Sequence, residues 1–462
     1  MKKEILIKIT TIAVLAILLL IPIQMVKSKI HERQLNQGVA RESVVSSWTG
    51  NQAITLPYIV IPTENTVEVV NGFGQVNSIE SRNRYYDVLE PSKIDVDFQV
   101  KNRILKKGIH HIPVYSVTIE MKGNFAPESV KQLARALNEY QSGTLKEAPF
   151  MAMNLSDMRG IESSPQLSLN GKLRNVSPSI PLLSQSQGIH SSLAGLSELY
   201  VLSEPETLSE LDEALPFTLT LSVKGAEKIA FLPIANDASV KVVSDWPHPQ
   251  FGGSSLPMER HIDQDGFEAQ WVFSQYGHNN KQLLLSCIRY AECAALSASM
   301  TSIEFITPID IYMLSERSIK YAFLFIGLGF ITFLIFEQMR QIRIHPVQYT
   351  FVGLVLAVFY LLLISLSEHV GFQWAYLIAV VACGLLLIMY LPYMLGNTVV
   401  AMLFTAVFIG VYGLLYVIIQ SEDFAFLMGA ILVFSVLAIL MSVTRRVNWY
   451  EINQFEKLNE TL

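Results

Sequence analysis

The sequence predicts a membrane protein in three parts: an N-terminal signal-anchor helix, a large, mainly antiparallel, sandwich-like β domain outside the cytoplasm, and a C-terminal bundle of five transmembrane helices. Three observations predict it. Apolar residues concentrate in 5–26 and 321–443, the region between them alternates apolar and polar residues, and Lys and Arg are distributed unequally between the short connections. Boundaries follow at 1–26 for the anchor, 27–320 for the β domain, 321–443 for the bundle and 444–462 for a tail.

A mean hydropathy of +0.36, with 51% hydrophobic and 16% charged residues, is too apolar for an ordinary soluble chain, whose charged share runs near 25%. The formal net charge of −6 offers no basic footprint for nucleic acid. That class of partner is set aside, and the lipid bilayer is the partner implied.

The first element, 5–26, is long enough to cross a bilayer, since roughly 20 apolar residues span about 30 Å. Lys2, Lys3 and Lys8 precede it. A cleavable signal peptide would have a shorter apolar core and a small-x-small exit. Here the exit reads Gln24-Met25-Val26-Lys27-Ser28-Lys29, which points to a retained anchor.

The middle region carries strand patterning. In 94–100 the order is Ile-Asp-Val-Asp-Phe-Gln-Val; Tyr115, Val117, Ile119 and Met121 share a face; 217–224 and 267–273 alternate likewise. Pro127 to Gln141 is the one good helix, with Val130, Leu133, Ala134, Leu137 and Tyr140 at helical spacing and Pro at its start. Residues 177–192, rich in Ser, Gln and Pro, read as a loop.

The last third divides into 321–336, 347–364, 372–391, 399–419 and 424–443, and its short connections make antiparallel neighbours. Arg340 and Arg343 lie between the first two of these spans and Arg445 and Arg446 follow the last, whereas 365–371 and 420–423 hold no Lys or Arg. The positive-inside rule then puts both termini in the cytoplasm. Lys27, Lys29, Arg33, Arg317 and Lys320 fall on the outer side against the rule, and are outvoted.

Catalytic motifs are missing: there is no Gly-x-Ser-x-Gly elbow, no phosphate loop and no His-Glu-x-x-His. Asn71-Gly72-Phe73-Gly74 reads as a β-turn. His110 and His111 would point to opposite faces of a strand and are read as turn or surface residues. No catalytic residue, metal set or cofactor is identified, and no ionisable residue stands mid-span. Glu337 at the inner edge of its span, and Glu368 with His369 in an outer connection, read either as solvated polar residues at the membrane interface or as groups paired with a substrate or partner helix. Asp245-Trp246-Pro247-His248-Pro249 has two readings: Trp246 plugs the domain core, or the loop docks a partner with Trp246 as anchor and Asp245 and His248 as polar contacts. Cys287 and Cys293 form a single disulfide or remain two small half-buried thiols. The aromatics Tyr360, Tyr376, Tyr390, Tyr393, Tyr412, Tyr416 and Trp374 read as interfacial and inter-helix packing residues.

Several stretches resemble a known family. They are 245–251 (Asp-Trp-Pro-His-Pro-Gln-Phe), 306–312 (Ile-Thr-Pro-Ile-Asp-Ile-Tyr), 316–328 with Phe336-Glu337, His345-Pro346-Val347-Gln348-Tyr349, and 361–369, ending Ser365-Leu366-Ser367-Glu368-His369. The chain resembles the CreD family of bacterial inner-membrane proteins over most of its length. A weaker echo is Ser156-Asp157-Met158-Arg159-Gly160, where the family commonly has Pro in place of Met158. The resemblance implies a Gram-negative inner-membrane protein with a periplasmic domain, concerned with cell envelope integrity and envelope stress, and it transfers no catalytic residue or cofactor. The expected function is a non-enzymatic envelope protein whose β domain binds an envelope component or protein partner. A lipid-like substrate transporter or flippase built from the bundle is the alternative, and a periplasmic hydrolase using a carboxylate pair is a third.

Overall fold

The computed structural model describes residues 2–70, 76–145, 148–176, 196–201, 214–290, 293–307, 311–340, 344–421 and 425–444. The turn read at Asn71 to Gly74, the loop at 177–192, and Arg343, Arg445 and Arg446 lie outside the described residues. The chain divides into two compact units: Val39–Pro308, and Met1–Gly38 with Ile309–Leu462.

In chain order the first elements are α1 (Lys2–Trp48), β1 (Gln52–Thr55), β2 (Tyr58–Val70), β3 (Val76–Leu89), β4 (Lys93–Lys107), β5 (His110–Phe125) and α2 (Pro127–Gln141). There follow β6 (Phe150–Asn154), β7 (Gln166–Leu169), β8 (Lys172–Asn175), β9 (Leu196–Val201), β10 (Leu215–Ala226), β11 (Lys228–Leu232) and β12 (Asp237–Ser244). Then come β13 (Pro249–Gly253), β14 (Glu259–Ile262), β15 (Phe267–Ser274), α3 (Asn280–Tyr290), α4 (Ala294–Ala298) and β16 (Thr301–Phe305). The C-terminal helices are α5 (Ile311–Arg340), α6 (Pro346–Val370), α7 (Phe372–Leu395), α8 (Thr398–Gln420) and α9 (Ala425–Thr444).

The β unit is built on an eight-stranded sheet of order β14-β15-β12-β4-β5-β10-β7-β8. Its pairs are antiparallel except β12 with β4. The predicted alternation is realised: Ile94, Val96, Phe98 and Val100 of β4 and Tyr115, Val117, Ile119 and Met121 of β5 are buried on one face. On the other face Lys241 pairs with Glu268 at 2.8 Å. The apolar face shares a core with Ile54, Phe231 and Ile303 of a second sheet, β1-β11-β16-β13, and with Ile59 and Met151 of a third, β3-β2-β6-β9. Aromatic contacts fill the gap between layers, with ring centroids of Phe98 and Phe231 at 5.6 Å and of Phe231 and Trp271 at 5.4 Å.

Helix α2 has the predicted bounds and buries Val130, Leu133, Ala136 and Leu137. Ala136, rather than the expected Ala134, completes its apolar stripe. A second core lies on the opposite side of β2 and β11, where Tyr58, Val60, Leu232 and Ile234 meet Leu284, Leu285 and Leu296 of α3 and α4. Strands covered on both faces carry continuous apolar runs instead of alternation, and for that reason the start of β2 (Tyr58 to Ile61), β6 and β11 show no period of two.

In the helical unit, α1 continues well beyond the predicted anchor, as one helix from Lys2 to Trp48. The Lys27-Ser28-Lys29 exit does not end it, because no proline follows and a buried stripe of Leu19, Ile23, Val26 and Ile30 runs through that point. Pro22 sits inside the helix, as membrane helices tolerate. A Cβ on Gly353 of α6 would fall 2.8 Å from Cζ of Phe330 and would also collide with Leu19. That glycine lets α1, α5 and α6 approach closely.

Among the described residues, four helices are long and apolar enough to cross a membrane: α1 over Ala13–Trp48, α6, α7 and α8. The 365–371 connection contracts to one residue, because α6 runs to Val370 and Gly371, at φ +81°, turns the chain into α7. Positive φ is the conformation glycine adopts at least cost.

Candidate functional site

The Trp246 loop joins β12 to β13 and is held at each of its singled-out residues. Asp245 Oδ1 accepts from the backbone N–H of Asn102 at 2.8 Å and from its side-chain amide at 3.0 Å. The Trp246 indole N–H donates to the Ile306 carbonyl at 2.9 Å, and its half-buried ring packs against the sandwich core. The Ile306 N–H donates to the His248 carbonyl at 3.2 Å. Trp246 therefore plugs the core, while the side chains of Asp245 and His248 are exposed.

A second cluster forms around buried Gln52 at the start of β1. Its side-chain amide donates to the carbonyls of Asp157 and Lys224, each at 3.1 Å, and its oxygen accepts from Ser156 Oγ at 3.2 Å and Asp157 N–H at 3.3 Å. Asp157 opens a 3₁₀ turn at Met158–Gly160 and binds the Arg159 guanidinium through Nη2 at 2.6 Å. Those hydrogen bonds from Arg159 hold the Asp157 carboxyl below the usual range, outweighing the opposing effect of burial. Gly160 permits the close approach, since a Cβ there would lie 2.7 Å from the Lys224 carbonyl oxygen.

The carboxylates of Glu337 and Glu368 are committed within the helical unit. Glu337 is buried in α5, where Oε1 accepts from the Ile344 N–H at 3.0 Å and Oε2 from the Tyr349 hydroxyl at 2.7 Å. Glu368 stands in the last turns of α6, with Tyr312 Oη 3.1 Å and Arg33 Nε 3.4 Å from Oε1. The structure thus joins it to α1 and α5, while neighbouring His369 is exposed. Tyr360, Tyr376 and Tyr412 are buried around Phe359, with ring centroids 5.1, 5.2 and 4.3 Å away; Trp374 and Tyr393 are exposed. A small apolar cleft opens between α5, α6, α7 and α8, lined by Phe333, Leu356, Leu387, Leu391, Phe404 and Val407 among others.

Cys287 and Cys293 are joined as a disulfide, with Cα atoms 4.4 Å apart. It ties the end of α3 to the cap of α4. Among the described residues, no three His, Cys, Asp or Glu side chains gather as a metal-binding group.

A family model described as "Inner membrane protein CreD" matches residues 4–450. The chain belongs to the CreD family. A curated relative, "Inner membrane protein CreD" of Escherichia coli (strain K12), is 30% identical over 445 residues, covering 96% of this chain and 93% of the relative. Membership of this inner-membrane family, with the apolar helices, makes the chain a membrane-embedded protein with a β domain.

In this CreD-family chain the residues singled out from sequence fall at separate places. Asp245, Trp246 and His248 share one loop; Glu337 and Glu368 are bound into the helical unit; the cysteines staple two short helices. Sequence reading missed their partners Asn102, Tyr312, Tyr349 and Arg33, and it missed Gln52, which binds Ser156 and Asp157. No local pattern marks them, because each meets its partner only through folding.

Proposed function

We propose that this chain is a non-enzymatic inner-membrane protein that supports cell envelope integrity under envelope stress. Six spans anchor it, α5 and α9 among them, with both termini cytoplasmic and the β unit periplasmic, where it binds an envelope component or protein partner. The observation that carries the docking site is the fixation of the Trp246 loop. Asp245 and His248 stand at the surface on a backbone held by Asn102 and Ile306, so a partner would meet them with little ordering cost. The disulfide supports an oxidising compartment for the β unit.

The test places a photoreactive residue at exposed Gln250, two residues past His248, in living cells and identifies what it captures by mass spectrometry. A defined envelope component, lost when Asp245→Asn and His248→Ala are combined, supports the reading. A folded double variant that retains full resistance to envelope stress and the same captured species removes the loop from the function.

A second reading, movement of a lipid-like substrate, is favoured by the apolar cleft between α5 and α8. Leu387→Trp or Val407→Trp should fill the cleft and slow lipid transfer in reconstituted vesicles. Transfer equal to that of protein-free vesicles ends this reading.

A further inference from the structure

The β4–β5 hairpin outruns its neighbours. Strand β12 leaves β4 at Val100, opposite Ser244, and β10 leaves β5 at Val114, opposite Ala226. Beyond those points Ile104, Leu105, Lys106 and Lys107 pair only with Pro113, Ile112, His111 and His110 in the described ladder. At about 3.3 Å per residue the tip projects roughly 13 Å past the sheet.

Its composition differs from the rest of the β unit. Lys101, Arg103, Lys106 and Lys107 lie in a stretch without Asp or Glu before Glu120, and His110 and His111 add two ionisable rings. Ile104 and Ile109 are 49% and 40% exposed. Exposure alone does not single them out, because Leu173 and Met258 are more exposed and single surface apolar residues are ordinary. What distinguishes the tip is apolar side chains among cations on a stretch that neither β10 nor β12 flanks.

Both ends of the β unit's chain lie at the end of the sheet where the hairpin projects. α1 enters alongside it: Ser43 accepts from Lys107, and Trp48 lies under Arg103 at 4.9 Å. The chain leaves after Ile306, whose carbonyl binds Trp246, next to Asp245 on Asn102. Leu173 belongs to the opposite end, since Ser168, its partner on β7, aligns through Thr218 with Lys122, near the far end of β5.

We propose that the tip of the β4–β5 hairpin is a contact site for an anionic phospholipid surface. Ile104 and Ile109 enter the headgroup boundary, Lys106 keeps its stem on the apolar layer while its ammonium group meets phosphates, and Lys107 exchanges Ser43 for a phosphate oxygen. This contact is independent of which envelope partner the Trp246 loop meets.

The test uses the full chain with a photoreactive diazirine side chain at Ile109, or at Leu173 as control, in vesicles of phosphatidylethanolamine with phosphatidylglycerol. Lipid adducts should form at Ile109 well above Leu173 and fall sharply in vesicles of phosphatidylcholine alone. Lys106→Gln with Lys107→Gln should lower the Ile109 yield by about tenfold or more, each lysine near an anionic surface being equivalent to roughly a fivefold partition. Equal yields at Ile109 and Leu173, adducts indifferent to lipid charge, or a protein captured at Ile109 in place of lipid would each overturn the proposal. The lipid comparison on the unmutated hairpin separates loss of contact from loss of fold.

Discussion

Gln52 shows how one side chain can organise a motif. Its amide satisfies two backbone carbonyls and accepts two donors, so the Leu155-to-Gly160 segment is fastened to β1 and β10 through it. Gln52→Leu keeps the volume but leaves buried carbonyls of Asp157 and Lys224 without that donor, and should cost about 2–3 kcal/mol, read as a lower urea midpoint of Trp fluorescence. At His278 burial lowers the pKa, against the opposing pull of Glu90 and Asp237. A folded pKa below the unfolded value of about 6.5 means the unfolded chain binds more protons between the two. The contribution of His278 is then complete above about pH 6.5 and is lost as pH falls toward the folded pKa. The β unit should unfold at lower urea at about pH 5.5 than at about pH 7.5, and His278→Asn should shrink that difference.

Elements meet where the sequence allows close approach. Gly353→Ala would push a methyl into Phe330 and Leu19, where α1 and α5 approach α6, at a cost of about 1–3 kcal/mol. Gly410→Ala on α8 meets nothing within 4 Å and should leave the melting temperature in detergent unchanged or raised. The pair therefore separates helix packing from helix propensity. The α3–α4 staple is a second element-scale device, closing a loop with a sequence separation of 6. Cys287→Ser with Cys293→Ser should destabilise the β unit by about 2 kcal/mol on loop-closure entropy. Mild reductant applied to the native chain should reproduce the loss.

At the scale of the whole molecule, the proposed topology makes a prediction of its own. Reporters active only in the periplasm should function when inserted within the β unit and fail when fused at either terminus, whereas reporters active only in the cytoplasm should show the reverse. A periplasmic signal from the C-terminus would reverse the orientation that the arginine-bearing connections support.

What the sequence determined by itself was what a local pattern can carry. Apolar runs of bilayer length marked the helices, period-two alternation marked β4, β5, β10 and β15, and proline with helical spacing marked α2. These depend on neighbours a few residues apart and on which solvent each face meets. The tertiary structure alone decided that the start of β2, β6 and β11 are covered on both faces, that α1 runs unbroken past its charged exit, and that Glu337 and Glu368 are bound rather than solvated. It also decided that Trp246 is a plug fixed by Ile306. Each of these rests on partners far apart in the chain, as with Gln52 and Lys224 or Arg33 and Glu368. Such a contact leaves no periodicity behind, because its energy comes from burial and hydrogen bonding that exist only once the layers have closed.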